Sequence, residues 1–305
     1  MSGAGRLAWS ENYIAVDWGT TNRRAWLINS NGQIAAQFAD ELGLMSVPAG
    51  GFEIAAADIR DKLGSWPMLL GGMVGSDKGW RRAPYVSCPA SAKALADKIF
   101  WVDDHCTGIV PGVCQSAGHP DVMRGEEVQA IGAVAGGMVS PDAYICHPGT
   151  HTKWIRLAQE EIAGFKTMMT GELFNLLRIN SILSAQMQSE VIAGNSFQDG
   201  LNDATSGAAL SAALFTVRAR HLLSQEQYDG ASYASGLLIG SDVQAGLSQV
   251  MPVEKIAIIG RADLAHLYAV AIKSAGYECH IIDGDQAFLA GIAAIIQTFN
   301  KDGMS

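Results

Sequence analysis

Tyr13-Ile-Ala-Val-Asp17-Trp-Gly19-Thr20-Thr21-Asn22-Arg23-Arg24-Ala-Trp26-Leu-Ile28 consists of an apolar run, a turn rich in hydroxyls and a second apolar run. Its β-branched and aromatic residues on either side of a Gly-Thr turn read as a strand hairpin. The phrase returns halfway along the chain as Ala143-Tyr-Ile-Cys146-His147-Pro-Gly149-Thr150-His151-Thr152-Lys153-Trp154-Ile-Arg-Leu157. A Gly-Thr turn between two strands presents bare backbone N–H groups and hydroxyls along one edge, which suits an anion such as phosphate. Two such hairpins predict two similar halves gripping one polyphosphate, the layout of an ATP-dependent phosphotransferase.

The chain between and beyond the hairpins supports a duplication. Asn31-Gly32 fits a tight hairpin turn into a third strand, Ile34 to Phe38. Helical spacing follows over Phe52 to Leu63, a short strand over Pro67 to Leu70, a helix over Ala90 to Ile99, a strand over Gly108 to Pro111, and a helix over Arg124 to Val139. The second half repeats the order. Ala143–His147, Thr152–Leu157 and Glu161–Thr167 form a meander, and Glu172–Met187 is a helix. A helical insertion spans Asp203 to Val250, with Gly236 and Gly240 as breaks. Lys255–Ile259, Asp263–Ala275, Tyr277–Ile282 and Gln286–Phe299 then alternate strand and helix. The pattern is one βββαβαβα unit written twice.

With 305 residues, 49% of them hydrophobic and 17% charged, the chain has the composition of a well-buried enzyme of one large or two ordinary domains. The net charge of −9 argues against nucleic acid or an anionic membrane as partner. No apolar run approaches the roughly 20 residues that span a bilayer. Met1 to Asn12 reads as a loose tail and not a signal peptide. Cys88, Cys106, Cys114, Cys146 and Cys279 are odd in number and scattered, as expected of reduced thiols in a cytoplasmic protein. Cys146, His147 and His151 fall short of the four ligands of a structural zinc site.

Specific phrases take the reading further. Asp17-Trp-Gly-Thr-Thr-Asn22-x-Arg24-x-Trp26, Gly72-Met-Val-Gly-Ser76-x-x-Gly-Trp80, Ala83-Pro-Tyr85, Asp121-Val-Met-Arg-Gly-Glu126-Glu127, His147-Pro-Gly-Thr-His151-x-Lys-Trp154 and Met169-Thr-Gly-Glu172 occur in this order. Together they resemble the 2-dehydro-3-deoxygalactonokinase family, from about Tyr13 to Gly291, within the actin-like ATPase superfamily of hexokinases, glycerol kinases and exopolyphosphatases. The resemblance implies a two-lobed α/β protein of the actin-like ATPase (ribonuclease H-like) fold. Residues 1–141 would form a lobe with the sugar-acid site and the first phosphate hairpin. Residues 142–305 would form a lobe with the second hairpin, the helical insertion and the adenosine site, the last helix being free to pack back on the N-terminal lobe. It further implies phosphoryl transfer from ATP, with Mg²⁺, to the terminal hydroxyl of 2-dehydro-3-deoxy-D-galactonate, a small-molecule sugar acid, and leaves a homo-oligomer open. Competing readings are a kinase of another sugar acid or an amino sugar, an exopolyphosphatase-like hydrolase, and a non-enzymatic nucleotide switch.

Asp17 ends an apolar strand just before the phosphate turn, where a carboxylate can hold Mg²⁺, although Asp also caps turns readily. Gly19, Thr20, Thr21, Gly149, Thr150 and Lys153 supply donors to phosphate. A sugar kinase needs a base beside the attacking hydroxyl. Glu126 is the first candidate, with Glu127 or Asp121 behind it and Asp77 further off, since acids also favour a first helical turn for its dipole. Asn22, Arg24, Gly72, Ser76, Trp80, Tyr85, Arg124 and Glu172 are the substrate candidates inside the family-like phrases, though Trp80 also suits a core. Gly236, Gly240, Gly260 and Arg261 are candidates to frame the adenosine, or ordinary caps. The superfamily's Gly-Gly at that place is here Gly260-Arg261.

Overall fold

The structure, a computed structural model, describes residue 9 and residues 11–207, 209–223, 228–248, 250 and 255–301. Most of the expected N-terminal tail, and positions 208, 224–227 and 249 of the expected insertion, lie outside the described residues. Within that tail Trp9 is buried, its indole N–H donating to the His105 carbonyl at 3.0 Å and its ring packing edge-on against Trp101.

The first half runs β1 (Tyr13–Trp18), β2 (Arg23–Ile28), β3 (Ile34–Asp40), α1 (Phe52–Leu63), β4 (Met68–Gly72), β5 (Tyr85–Ser87), α2 (Ala92–Ala96), β6 (Phe100–Trp101), β7 (Thr107–Ile109), β8 (Gly112–Gln115), β9 (Asp121–Met123) and α3 (Glu126–Ala135). The second runs β10 (Ala143–His147), β11 (Thr152–Ala158), β12 (Glu161–Met168), α4 (Thr170–Asn180), α5 (Asn195–Thr205), α6 (Leu210–Leu222), α7 (Gly230–Leu247), β13 (Ile256–Ile259), α8 (Ala262–Ser274), β14 (Cys279–Ile282) and α9 (Gly284–Lys301).

One sheet has the order β3-β2-β1-β4-β7-β6 and another β12-β11-β10-β13-β14. Both consist of a meander whose first strand pairs in parallel with the next strand of the chain, β1 with β4 and β10 with β13. That is the repeated unit expected from the two hairpins. The central strand β1 buries Ile14, Ala15, Val16 and Trp18 completely, because a parallel strand covered on both faces has no polar side to show. β5, β8 and β9 form a further three-stranded sheet that sequence patterning missed. Strands of three or four residues are too short to display a period.

By its contacts the chain divides into two compact units. One holds the described residues up to Asp142, together with Leu157–Gly164 and those from Gly284 onward; the other holds Ala143–Arg156 and Phe165–Asp283. α9 belongs to the first unit because it lies against α3 at van der Waals distance. A Cβ on Gly132 would stand 1.8 Å from the Ala287 carbonyl oxygen, and one on Gly291 would stand 2.0 Å from that of Val128.

Three element boundaries correct the expectations. The helix expected over Ala90–Ile99 shrinks to α2, which Ser91 caps by accepting the Ala94 N–H at 3.2 Å before the chain turns into β6. The helix expected over Glu172–Met187 stops at Asn180. There the Ser181 hydroxyl donates to the Leu177 carbonyl at 2.6 Å and accepts the Leu183 N–H at 3.0 Å, an alternative to the helical ladder. Gly236 and Gly240 are not breaks: α7 runs straight through them. A Cβ on Gly236 would lie 2.1 Å from the Phe197 carbonyl oxygen and one on Gly240 2.7 Å from the Ala204 Cβ, so these glycines let α5 lie close on α7. Among the described residues no helix is long and apolar enough to cross a membrane.

Candidate active site

In the first unit the antiparallel register places Arg24 directly opposite Asp17, and the parallel register places Gly71 beside it. The Arg24 guanidinium donates to the Asp17 carboxylate at 2.5 Å and to that of Asp285 at the start of α9. Burial pushes the Asp17 carboxyl above its ordinary value; Arg24 opposes the rise, and the nearby Asp285 and Glu126 charges add to it. Gly72, with φ of 94°, and Gly125, with φ of 111°, bring the end of β4 and the start of α3 together here. A Cβ on Gly125 would lie 3.3 Å from the Gly72 Cα, and one on Gly72 would lie 2.7 Å from the Trp18 carbonyl oxygen. Side chains in place of either hydrogen would part the acids of β1 from those of α3. Asp17, Glu126 and Asp285 thus share one electrostatic neighbourhood, with Arg24 as its cation.

Glu126 and Glu127 differ sharply. Glu126 is half-buried, and its carboxylate accepts the Arg124 N–H at 3.2 Å. Glu127 is fully buried, and both of its oxygens accept the Gly125 N–H, at 2.7 and 2.8 Å. Burial and the Glu126 charge push the Glu127 carboxyl up to about 8, against the Gly125 hydrogen bonds and the Arg124 charge. Between about pH 4.5 and 8 the folded state therefore keeps a proton on Glu127 that the unfolded chain has lost. Stability then falls as pH rises, by about 1.4 kcal/mol per pH unit. Glu127→Gln removes the titration, so the melting temperature of the variant should gain steadily on that of the parent between pH 5 and 8. Parallel curves would refute the assignment.

The remaining candidates of this unit separate. Arg124 and Tyr85 lie together, the guanidinium 4.5 Å from the ring centre, and a Cβ on Gly75, next to Ser76, would touch Arg124. Trp80 is a core residue whose indole N–H donates to the Glu53 carboxylate at 3.1 Å, so its amphipathic character is spent on α1. Asn22 is exposed, its carbonyl closing the Gly19 turn at 2.9 Å. Thr20 and Thr21 are exposed as well, their carbonyls accepting the Met45 and Gly43 N–H groups at 3.1 and 3.0 Å. Asp121 sits on the small sheet and accepts the Val122 N–H, while Asp77 forms a surface pair with Arg82 at 2.9 Å. A hollow of about 670 Å³ elsewhere in the unit is walled by Arg23, Asp40 and Asp58, whose ion pairs tie β2 and β3 to α1.

The second unit holds a cavity of about 1310 Å³. Gly149 and Thr150 stand at its wall with Thr170 and Gly171, the start of α8 from Arg261, and apolar Val191, Leu238 and Leu264. That volume admits a nucleotide, since ligand sites commonly measure roughly 300–1,000 Å³. Glu172 belongs to this unit, its N–H donating to the Thr150 carbonyl at 2.9 Å and its carboxylate bonded to His151 Nε2. Arg261 pairs with Asp263 at 2.6 and 2.8 Å. Two expected nucleotide residues stand away from this cavity. Lys153 is buried beneath the turn, donating to the His151 carbonyl at 3.0 Å, and Gly240 belongs to the α5–α7 crossing; neither is on the cavity wall. Gly260 abuts Pro148 behind the turn.

Sequence reasoning missed Asp285, Asp242 and Tyr268. Asp242 is buried on α7, accepting Trp154 Nε1 at 2.7 Å, the Tyr268 hydroxyl at 2.6 Å and the Thr170 hydroxyl, and burial raises its carboxyl above the ordinary value. Thr170 and Tyr268 are themselves on the cavity wall, so this network fixes its floor. Asp285 carried a signal that went unused: an acid opening a helix just after a strand, as at Glu126.

Comparison with known proteins gives a consistent result. A model of the family described as 2-keto-3-deoxy-galactonokinase matches residues 17–295. The 2-dehydro-3-deoxygalactonokinase of Escherichia coli (strain K12) is 36% identical over 291 residues, covering 93% of this chain and 97% of the relative. A solved structure from Sinorhizobium meliloti, titled as a 2-dehydro-3-deoxygalactonokinase protein, superposes with a TM-score of 0.87 at 32% identity, covering 94% of this chain and 99% of that one. Component A of the (R)-2-hydroxyglutaryl-CoA dehydratase of Acidaminococcus fermentans superposes at a TM-score of 0.51 with 12% identity, covering 96% and 99%, and bears on the fold alone. With the doubled strand order, these likenesses make the fold that of the actin-like ATPases.

Proposed function

Starting from this chain's membership of the 2-keto-3-deoxy-galactonokinase family, we propose that it transfers the γ-phosphoryl group of ATP to the terminal hydroxyl of 2-dehydro-3-deoxy-D-galactonate, a step of galactonate catabolism. The observation that carries the mechanism is the grouping of Asp17, Glu126 and Asp285 at the end of β1 and the starts of α3 and α9. Glu126 takes the proton of the attacking hydroxyl, whose oxygen bonds to the γ-phosphorus as the bond to the β,γ-bridging oxygen breaks and ADP leaves. Glu127, protonated and turned into its own helix, holds α3 in place. Gly149 and Thr150, on the wall of the second unit's cavity, supply donors to the phosphates.

Mg²⁺ is commonly held by one or two carboxylates together with substrate phosphates, and Asp17, its carboxylate facing the Asp285 and Glu126 charges, is the residue that would hold it. When bound, the ion neutralises charge on the transferring phosphoryl group. Five free cysteines support a reducing, cytoplasmic setting.

A coupled assay of ADP release against a panel of 2-dehydro-3-deoxy sugar acids tests the reading. ADP should appear only with an acceptor, and the galacto epimer should give the highest kcat/KM. ADP release at the same rate without any acceptor would make the protein a hydrolase.

A further inference from the structure

Among the described residues no carboxylate pairs with the buried guanidinium of Arg124. It lies between β9 and α3, with 9% of its surface exposed, and its Nη2 donates to the Ala83 carbonyl at 2.9 Å. Its Nε and Nη1 are buried and have no acceptor. Among other guanidinium groups of the same unit, Arg23 meets Asp40 and Asp58, Arg24 meets Asp17 and Asp285, and Arg81 meets Glu53, while Arg60 meets the Cys106 carbonyl and the Thr107 hydroxyl. Burying a charge is costly unless it is paired, and an unmatched donor forfeits its full hydration. Glu127, which the Arg124 charge does influence, has a carboxyl pushed up to about 8 by burial, and the Glu126 carboxylate accepts the Arg124 backbone N–H rather than the guanidinium.

The surroundings are shaped around this group. Nη1 lies over Gly75, where a Cβ would stand 2.8 Å away, so the glycine is what leaves room for the fork. The next residue, Ser76, has a buried hydroxyl that also lacks a partner. On the other side the Tyr85 ring covers the guanidinium and is itself 39% exposed. Two parallel N–H groups of a planar guanidinium match the two oxygens of a carboxylate in spacing and charge.

We propose that Arg124 binds the carboxylate of the sugar-acid substrate, with the Ser76 hydroxyl as a second donor, the Tyr85 ring turning aside to admit it. The assignment rests on the sugar-acid kinase reading above and adds how the acid is told from a neutral sugar. It also sets both ends of the substrate from one segment, because Arg124 is two residues from Glu126 and its N–H holds the Glu126 carboxylate.

The test compares kcat/KM for 2-dehydro-3-deoxygalactonate with that for the matching 3-deoxy-ketohexose, in which a hydroxymethyl group replaces the carboxylate. The parent enzyme should favour the acid by about 10³-fold or more, as sites built around a polar group reject analogues lacking it. Arg124→Gln should bring the preference within about tenfold, losing far more activity on the acid than on the neutral sugar, with the KM for ATP changed by no more than a few-fold. Arg124→Lys should retain an intermediate preference, and it alone decides the matter if the Gln variant does not fold. An unchanged preference in the folded variant, or equal loss on both sugars, would overturn the assignment and leave the kinase reading intact. A parent enzyme that phosphorylates neither sugar would overturn the kinase reading instead.

Discussion

Asp17→Asn should lower kcat by about 10²–10³-fold, the usual cost of removing one fixed electrostatic contact to a reacting phosphate or oxyanion. Asn keeps the shape of the side chain and an oxygen for the Arg24 hydrogen bond, so the hairpin register that sets Asp17 opposite Arg24 has no reason to slip. What disappears is the charge. The native carboxyl is held above its ordinary value by burial, and Arg24 keeps Asp285 as a partner, so the loss of charge should leave the melting temperature within a few degrees of the parent's. Turnover measured across an Mg²⁺ titration, beside thermal melts, separates the two effects. Near-normal kcat at saturating Mg²⁺ would show that Asp17 does no more than cap its turn.

Glu126→Gln should lower kcat by about 10²–10⁴-fold, the range for a positioned general base, with the KM for ATP nearly unchanged. The amide retains the size and most of the hydrogen bonding but cannot take a proton. Glu127→Gln is the informative contrast. Its side chain is wholly buried and bonded to the Gly125 N–H, so its replacement should change the pH dependence of stability far more than turnover. A crippled Glu127 variant beside a healthy Glu126 variant would move the base by one residue.

The doubled sheet was legible because both hairpins carry long apolar strands around a Gly-Thr turn, and length is what makes a period visible. The small sheet of β5, β8 and β9 was not, since three- and four-residue strands have no period to read. Gly236 and Gly240 misled for a different reason. A glycine in a helical stretch means either a break or a close crossing, and only the partner helix, here α5, distinguishes them. The same limit applies to the site. Asp17, Glu126, Arg24 and Arg124 could be named from local phrases, but the carboxylates that Arg24 meets could not, one of them, Asp285, lying far away in sequence. Lys153 beside the second turn looked equally available, and burial beneath that turn is a tertiary fact.

Because α9 belongs to the first unit, that unit is interrupted in the chain by the whole of the second. A ribosome adding about 5–20 residues per second needs roughly 7 to 30 s to pass from the end of α3 to the start of α9. During that interval the seam of α3 around Val128 and Gly132 has no covering helix, and Arg24 lacks Asp285. The second unit, whose residues all emerge in between, is complete first. Birth order and completion order are therefore reversed in this protein, and the nascent first unit is the stage at which a chaperone has apolar surface to hold.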